Sequence, residues 1–300
     1  FETSGTQLDA NAVQTLLESE DVFLLSEMMN FPGVIHKDPQ VMEKLSAAKR
    51  LNKRIDGHAP GLTGDDLKKY VDAGVETDHE CASLHEALEK ISLGMKIQIR
   101  DGSAARNFKN LAPLLSQHPD KVMLCTDDSH PDEILNHGHI DKIIRLGLKM
   151  GYNLFPLLRA ATINPVMHYN LPVGLLRPGD SADFIVVNSL DTFDVEQTYI
   201  NGQCVFDKGK GVQFPLTPVT AINVFRKEPV SGSQLRVVMP ADKNQVKVIE
   251  VEDGELLTGS GRWTPTLSGD REVNSDSLSD VLKLVVVNRY NNTPPSVGFV

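Results

Sequence analysis

The chain has 300 residues, 40% of them apolar, enough to bury a sizeable core in one large domain or two smaller ones. Its 30 basic and 40 acidic side chains give a net charge of −10, which offers no electrostatic footprint for a phosphate backbone and argues against nucleic acid as a partner. Cys81, Cys125 and Cys204 are odd in number, far apart and without a CxxC pair, so neither a disulfide scaffold nor a thiolate zinc site is expected and the compartment reads as reducing. No apolar run reaches the ~18 residues of a membrane span and no basic-then-apolar leader is present, which reads as a soluble, cytoplasmic protein with no membrane partner.

In chain order, short apolar runs at Val22–Leu25, Lys53–Ile55, Gly74–Val75, Lys96–Ile99 and Val122–Cys125 each precede a helical pattern. The helices are expected over Pro39–Leu51, Asp65–Ala73, Leu84–Leu93, Ala104–Gln117 and Pro131–Met150, several opening on a Ser, Thr or Asp cap. Apolar strands alternating with helices imply a parallel sheet covered on both faces, hence a (β/α) barrel or a doubly wound sheet. From about Gly174 the chain turns to Gly, Asp and Asn turns between short β-prone runs, which reads as a small β region with a two-strand turn at "NGQ" 201–203. Beyond Pro215, "VVMP", "VKVIEVEDG" and "VLKLVVVNRY" read as further strands.

The strand tips carry the chemistry. They end in Ser26-Glu27, in "DGHAPG" with His58, in "TDHE" with His79, in "IRDGS", and in Thr126-Asp127. In a parallel α/β fold these tips gather at one mouth, so Glu27, His58, His79 and Asp127 are expected to converge. A mixed imidazole and carboxylate set suits Zn, Mn or Fe better than Ca or Mg alone. A single histidine after a strand is more often a capping or packing residue, and a lone glutamate there is usually solvated; four metal-ligand types in one register reverse that balance. "HGH" at 137–139 has an HxH look but falls inside the pattern of the last helix, so it is set aside as a ligand source. His85, His118 and His168 are read as surface or packing residues, and Asp128 as a neighbour of the ligands or a helix-start acid.

In this order and spacing, "LSEMMNFPGVI", "DGHAPGLTG", "TDHE", "IRDGSAARN" and "CTDDSHP" resemble the bacterial adenine deaminase family of the metal-dependent amidohydrolases. "ATINP" at 161–165 followed by "GLLRPGDSADFIVV" is similar to the wider amidohydrolase tail. The resemblance implies an α/β chain made of a partial (β/α)8 TIM-type barrel, strands 4 to 8 with their helices, in residues 1–170. It further implies a small β-sandwich segment in 171–213 and the start of an α+β C-terminal domain in 214–300. It implies two divalent metal ions, Mn or Fe with Zn as an alternative, held by Glu27 as the bridging carboxylate, His58, His79 and Asp127. The family's HxH pair would lie upstream of Phe1, so the chain is expected to be the middle of a longer enzyme, with an open flank and no activity on its own. Where the family often has a glutamate, this chain has Asp101.

The implied reaction is hydrolysis of adenine to hypoxanthine and ammonia, a purine-salvage step. Attack at C6 needs a nucleophile that a metal supplies by lowering the pKa of a bound water toward ~7. Asp127 is then placed to accept and return the proton. Glu80 either bonds or protonates a ring nitrogen, or orients His79. Arg100 and Ser103 are candidates for purine contacts. A homo-oligomer is expected, and the H-x-E…P-C-x-x-C signature of the zinc base deaminases is missing. Two other readings share the residues: an amidohydrolase of another cyclic amide, and an inactive segment or subunit that needs an upstream partner.

Overall fold

The structure, a computed structural model, describes residues 4–215, 217–222, 224–225, 227–254 and 257–300. They fall into two compact units, Leu8–Leu216 and Phe1–Gln7 with Thr217–Val300. In the larger unit the short apolar runs form five strands, β1 (Leu24–Met28), β2 (Arg54–Gly57), β3 (Thr77–Asp78), β4 (Lys96–Arg100) and β5 (Val122–Cys125). Ile55, Ile97, Ile99, Val122 and Met123 are all buried, as expected where helices cover a sheet. β1 pairs with β2, β3 with β4 and β4 with β5, all parallel. The two pieces join where the Glu76 N–H donates to the Ile55 carbonyl at 3.0 Å and the Gly57 N–H donates to the Thr77 hydroxyl at 3.3 Å. The strands therefore lie side by side in chain order with every C-terminal tip on one edge, a TIM-barrel-like arrangement.

The covering helices are α1 (Ala10–Leu17), α2 (Phe31–Ile35), α3 (Pro39–Arg50), α4 (Gly64–Asp72), α5 (Leu84–Ser92), α6 (Phe108–Leu111), α7 (Leu114–Gln117), α8 (Pro131–His137), α9 (Ile140–Lys149), α10 (Leu154–Leu158) and α11 (Asn164–Tyr169). Their starts follow local chemistry: Asp38 accepts from the Val41 N–H before Pro39 opens α3, and Ser83 accepts from the Glu86 N–H before α5. One core packs α1, α3 and α4 on β1 and β2 through Leu17, Leu45, Leu67 and Tyr70. Another packs β4 and β5 against Phe108, Leu111, Ile143 and Leu157.

Three expectations need correction. The third strand begins at Thr77, because Gly74 and Val75 belong to the exit of α4, where the Gly74 N–H still bonds to the Val71 carbonyl at 2.8 Å. The helix expected over 104–117 starts only at Phe108 and divides into α6 and α7 at Pro113, which has no N–H to continue the ladder. The helix expected over 131–150 breaks into α8 and α9 at Gly138, whose φ of 88° no helix allows. "HGH" therefore forms a helix junction rather than a helix interior.

After α11 comes a four-stranded antiparallel sheet, β6 (Phe184–Val187), β7 (Val195–Ile200), β8 (Gln203–Asp207) and β9 (Gly211–Val212). Asn201 and Gly202, at φ 49° and 75°, make the tight β7–β8 turn. Among its described residues the smaller unit holds three antiparallel pairs, β10 (Val237–Val238) with β13 (Glu272–Val273), β11 (Val246–Glu250) with β12 (Gly259–Trp263), and β14 (Lys283–Val286) with β15 (Ser296–Phe299). Its core is Met239, Val273, Val281 and Phe299.

Within "ATINP", the buried Asn164 donates from Nδ2 to the carbonyls of Pro119 at 2.7 Å and Val122 at 2.6 Å, fastening α11 to the start of β5. Asn164→Ala should strand both carbonyls and lower stability by about 1–3 kcal/mol, read as the shift of the urea unfolding midpoint.

Candidate metal centre

Each strand tip delivers one or two side chains to the same place. On β1 the pairing with β2 is irregular between Leu25 and Met28, a kind of distortion that re-aims side chains, and Glu27 sits in it. Tyr70 then ties the first two tips together, its hydroxyl donating to the Met28 carbonyl at 2.6 Å and accepting from the His58 N–H at 3.1 Å. His58 follows β2, His79 and Glu80 follow β3, Arg100 ends β4, and Asp127 lies two residues beyond β5 with φ 52°, a left-handed backbone that few non-glycine residues adopt.

Glu27 Oε2 lies 2.8 Å from His79 Nε2 and 3.7 Å from His58 Nδ1, and the two imidazole nitrogens are 3.4 Å apart. Asp127 Oδ2 is 3.4 Å from His79 Nε2, and Glu80 Oε1 is 3.6 Å from it. The ligand atoms of Glu27, His58 and His79 all lie within 4.8 Å of one another, as do those of His79, Glu80 and Asp127. All four residues expected at the metal site, and Glu80 with them, are thus brought together around His79.

The electrostatics follow from this crowding. The His58 and His79 imidazoles beside it hold the Glu27 carboxyl at about 2. Burial works against a charged His79, but the Glu27 hydrogen bond and the nearby Asp78 and Glu80 charges raise its basicity. Burial pushes the Glu80 carboxyl up, with the Arg100 guanidinium opposing. Arg100 is buried and its Nη1 pairs with Glu80 Oε1 and, at 2.5 Å, with Asp127 Oδ2.

Beneath the centre lies a group of residues that sequence reasoning missed. The fully buried Lys90 ammonium donates to Glu86 Oε1 at 2.7 Å, to the Ala59 carbonyl at 2.7 Å and to Asp78 Oδ2 at 3.0 Å. Burial works against the Asp78 charge, but Lys90 together with hydrogen bonds from Cys81 and the Ala59 N–H outweighs it and holds the carboxyl below its usual range. Asp78, Cys81 and Glu86 have ligand-like spacing, yet Lys90 already supplies their cation. A signal was present: Lys90 shares a helix face with Ala87 and Ile91, where a lysine has to have a buried partner.

Ser103 stands outside the centre. Its hydroxyl donates to Glu133 at 3.0 Å and accepts from the His130 N–H at 2.8 Å, while its own N–H donates to the Asp128 carbonyl at 3.0 Å. Gly102 lets the loops after β4 and β5 touch, since a Cβ there would lie 2.1 Å from the Thr126 carbonyl oxygen. Asp101 pairs with Lys142 at 3.2 Å. From the helix junction His139 Nε2 reaches the Thr126 hydroxyl at 2.7 Å, a contact at a strand tip that the helical reading of "HGH" had hidden. His168 is a core histidine pushed down to about 4 by burial and by Lys96 and Arg54.

The amidohydrolase family pattern matches residues 1–205. Proteins named adenine deaminase from Methanosarcina mazei and Parabacteroides distasonis are 51% and 47% identical across 100% of this chain, and the matches cover 56% and 54% of those proteins. The chain thus spans about half the length of the curated relatives it matches. Among solved structures, a beta-aspartyl dipeptidase of Fervidobacterium islandicum AW-1 has a similar fold, with a TM-score of 0.52 at 15% identity over 69% of this chain and 63% of that one. Among the described residues no helix is long and apolar enough to cross a membrane.

With its carboxyl lowered from an ordinary 4.5 to about 2, Glu27 contributes stability that is full above about pH 4.5 and lost as pH falls toward about 2. Glu27→Gln should flatten the acid limb of urea-unfolding stability in that window, and an unchanged slope there would show that Glu27 is not held by the imidazoles.

Proposed function

Because the chain belongs to the amidohydrolase family, we propose that its strand-tip cluster is a two-metal centre for the hydrolytic deamination of adenine to hypoxanthine and ammonia, a purine-salvage reaction. The convergence of Glu27, His58, His79 and Asp127 carries this reading. Relatives named adenine deaminase that match the chain over its full length support it. Two imidazoles and two carboxylates form a donor set that suits Mn, Fe or Zn, and the partly exposed Glu27 and Asp127 leave the cluster open to solvent on one side. Glu27, His58, His79 and Asp127 are the residues that would hold the ions. When bound, such ions supply a water whose pKa is lowered toward ~7.

The chain's own groups account for the rest. Asp127 Oδ2 is the proton acceptor as water adds to C6, and it returns that proton as the amino group leaves as ammonia. Glu80, which pairs with Arg100 beside His79, is placed to bond a ring nitrogen of the purine or to orient His79. Arg100 orients the Glu80 and Asp127 carboxylates more directly than it can reach a substrate, since both pairs engage its Nη1.

In this reading β1–β5 are the fourth to eighth strands of a barrel in residues 1–170, followed by a β-sandwich segment in 171–213 and a C-terminal domain from 214. The outer edges of β1 and β5 pair with no further strand among the described residues. The remaining strands, with an HxH pair, are proposed to lie in the part of the relatives' length outside the match.

Ammonia release from adenine in excess Mn²⁺ tests the reading. Activity is expected from the chain joined to that additional sequence and not from residues 1–300 by themselves; no ammonia from either would overturn it. In the active form, Asp127→Asn should keep its metal and lose turnover by about 10²–10⁴-fold, whereas His58→Ala and His79→Ala should lose metal as well. Near-normal kcat in Asp127→Asn would exclude Asp127 as the base.

A further inference from the structure

We infer that Lys90, which touches neither the strand-tip cluster nor solvent, is a positioning residue that sets the spacing of the two imidazoles and thereby the affinity of the centre for a divalent cation. The inference rests on the metal-centre reading above.

All three protons of the Lys90 ammonium are taken, and each acceptor belongs to a ligand-bearing loop or is bonded to one. The Ala59 carbonyl is the residue next to His58, and Asp78 is the residue next to His79. Glu86 Oε1 also accepts from the Gly61 N–H at 2.9 Å, and its Oε2 from the Ala82 N–H at 3.3 Å, so the third acceptor bridges both loops itself. Asp78 repeats the pattern, accepting from the Ala59 N–H at 2.7 Å through Oδ1 and from the Glu80 N–H at 3.2 Å through Oδ2. One nitrogen atom on α5 therefore fixes the chain on both sides of the gap across which His58 Nδ1 and His79 Nε2 stand 3.4 Å apart.

A purely structural role does not explain this choice well. A buried ion group brings little net stability over well-packed apolar side chains of the same volume, and α5 already has Ala87 and Ile91 on its buried face. An ion group gives what apolar packing cannot: directional bonds that hold two loops at one separation.

Cobalt(II) tests this, because its visible absorption bands report the ligand geometry as well as occupancy. The chain joined to the additional sequence proposed above to carry the HxH pair is titrated with Co²⁺ against a competing chelator, and urea unfolding of the metal-free protein is followed in parallel, for the unaltered protein, Lys90→Met, Glu86→Gln and the exposed control Lys69→Met. Lys90→Met should weaken Co²⁺ binding about 10–100-fold and alter the bands. Glu86→Gln, which keeps the side-chain shape and is the variant to read if Lys90→Met does not fold, should shift both in the same direction, and Lys69→Met should shift neither. Lower metal-free stability with unchanged Co²⁺ affinity and bands in the folded variants would overturn the positioning role. Failure of the unaltered protein to bind Co²⁺ would instead refute the metal-centre reading.

Discussion

Too many carboxylates meet at one edge of this sheet, and most of the local architecture is an accommodation of that fact. Glu27, Asp78, Glu80 and Asp127 come from three different strand tips into a region where His79, Glu80 and Arg100 are almost excluded from solvent. Like charges at such separations repel strongly in a medium of low dielectric. Lys90 answers Asp78 from below, Arg100 answers Glu80 and Asp127 from the side, and the imidazoles answer Glu27. A divalent cation would complete a balance that the protein's own cations leave open on the exposed side, where Glu27 and Asp127 lie.

The arrangement has two layers of different stiffness. The lower layer, Asp78, Glu86, Lys90 and Tyr70, is buried and made of hydrogen bonds to main chain. The upper layer, the loops after β4 and β5, is joined by Ser103, Gly102 and the Asp128 carbonyl near solvent. The chain beside Glu27, His58 and His79 is thus held by the lower layer, whereas Asp127 belongs to one of two rim loops bonded to each other.

Glu27, His58, His79 and Asp127 were legible in the sequence because parallel strands put all their tips on one side, so a residue's position relative to its strand was enough. The helices with local caps, such as those after Asp38 and Ser83, were legible for the same local reason. What escaped depends on contacts between distant residues or on single backbone angles. Nothing in the pattern around Lys90 names Ala59 as its acceptor, and nothing near Ser103 shows that its hydroxyl is committed to Glu133 and His130. The helical period over 131–150 runs unbroken through Gly138, so only its φ reveals that His139 is free to turn toward Thr126.

The left-handed backbone at Asp127 restricts how this position can drift through evolution. Asparagine and glycine accept that conformation readily, aspartate tolerably, and longer side chains less well. The replacements the backbone welcomes therefore carry no basic oxygen of comparable strength, and glutamate, which keeps a carboxylate, meets a backbone that resists it. With the proton-acceptor role proposed above, residue 127 is closed in on both sides, by conformation in one direction and by the need for a carboxylate in the other.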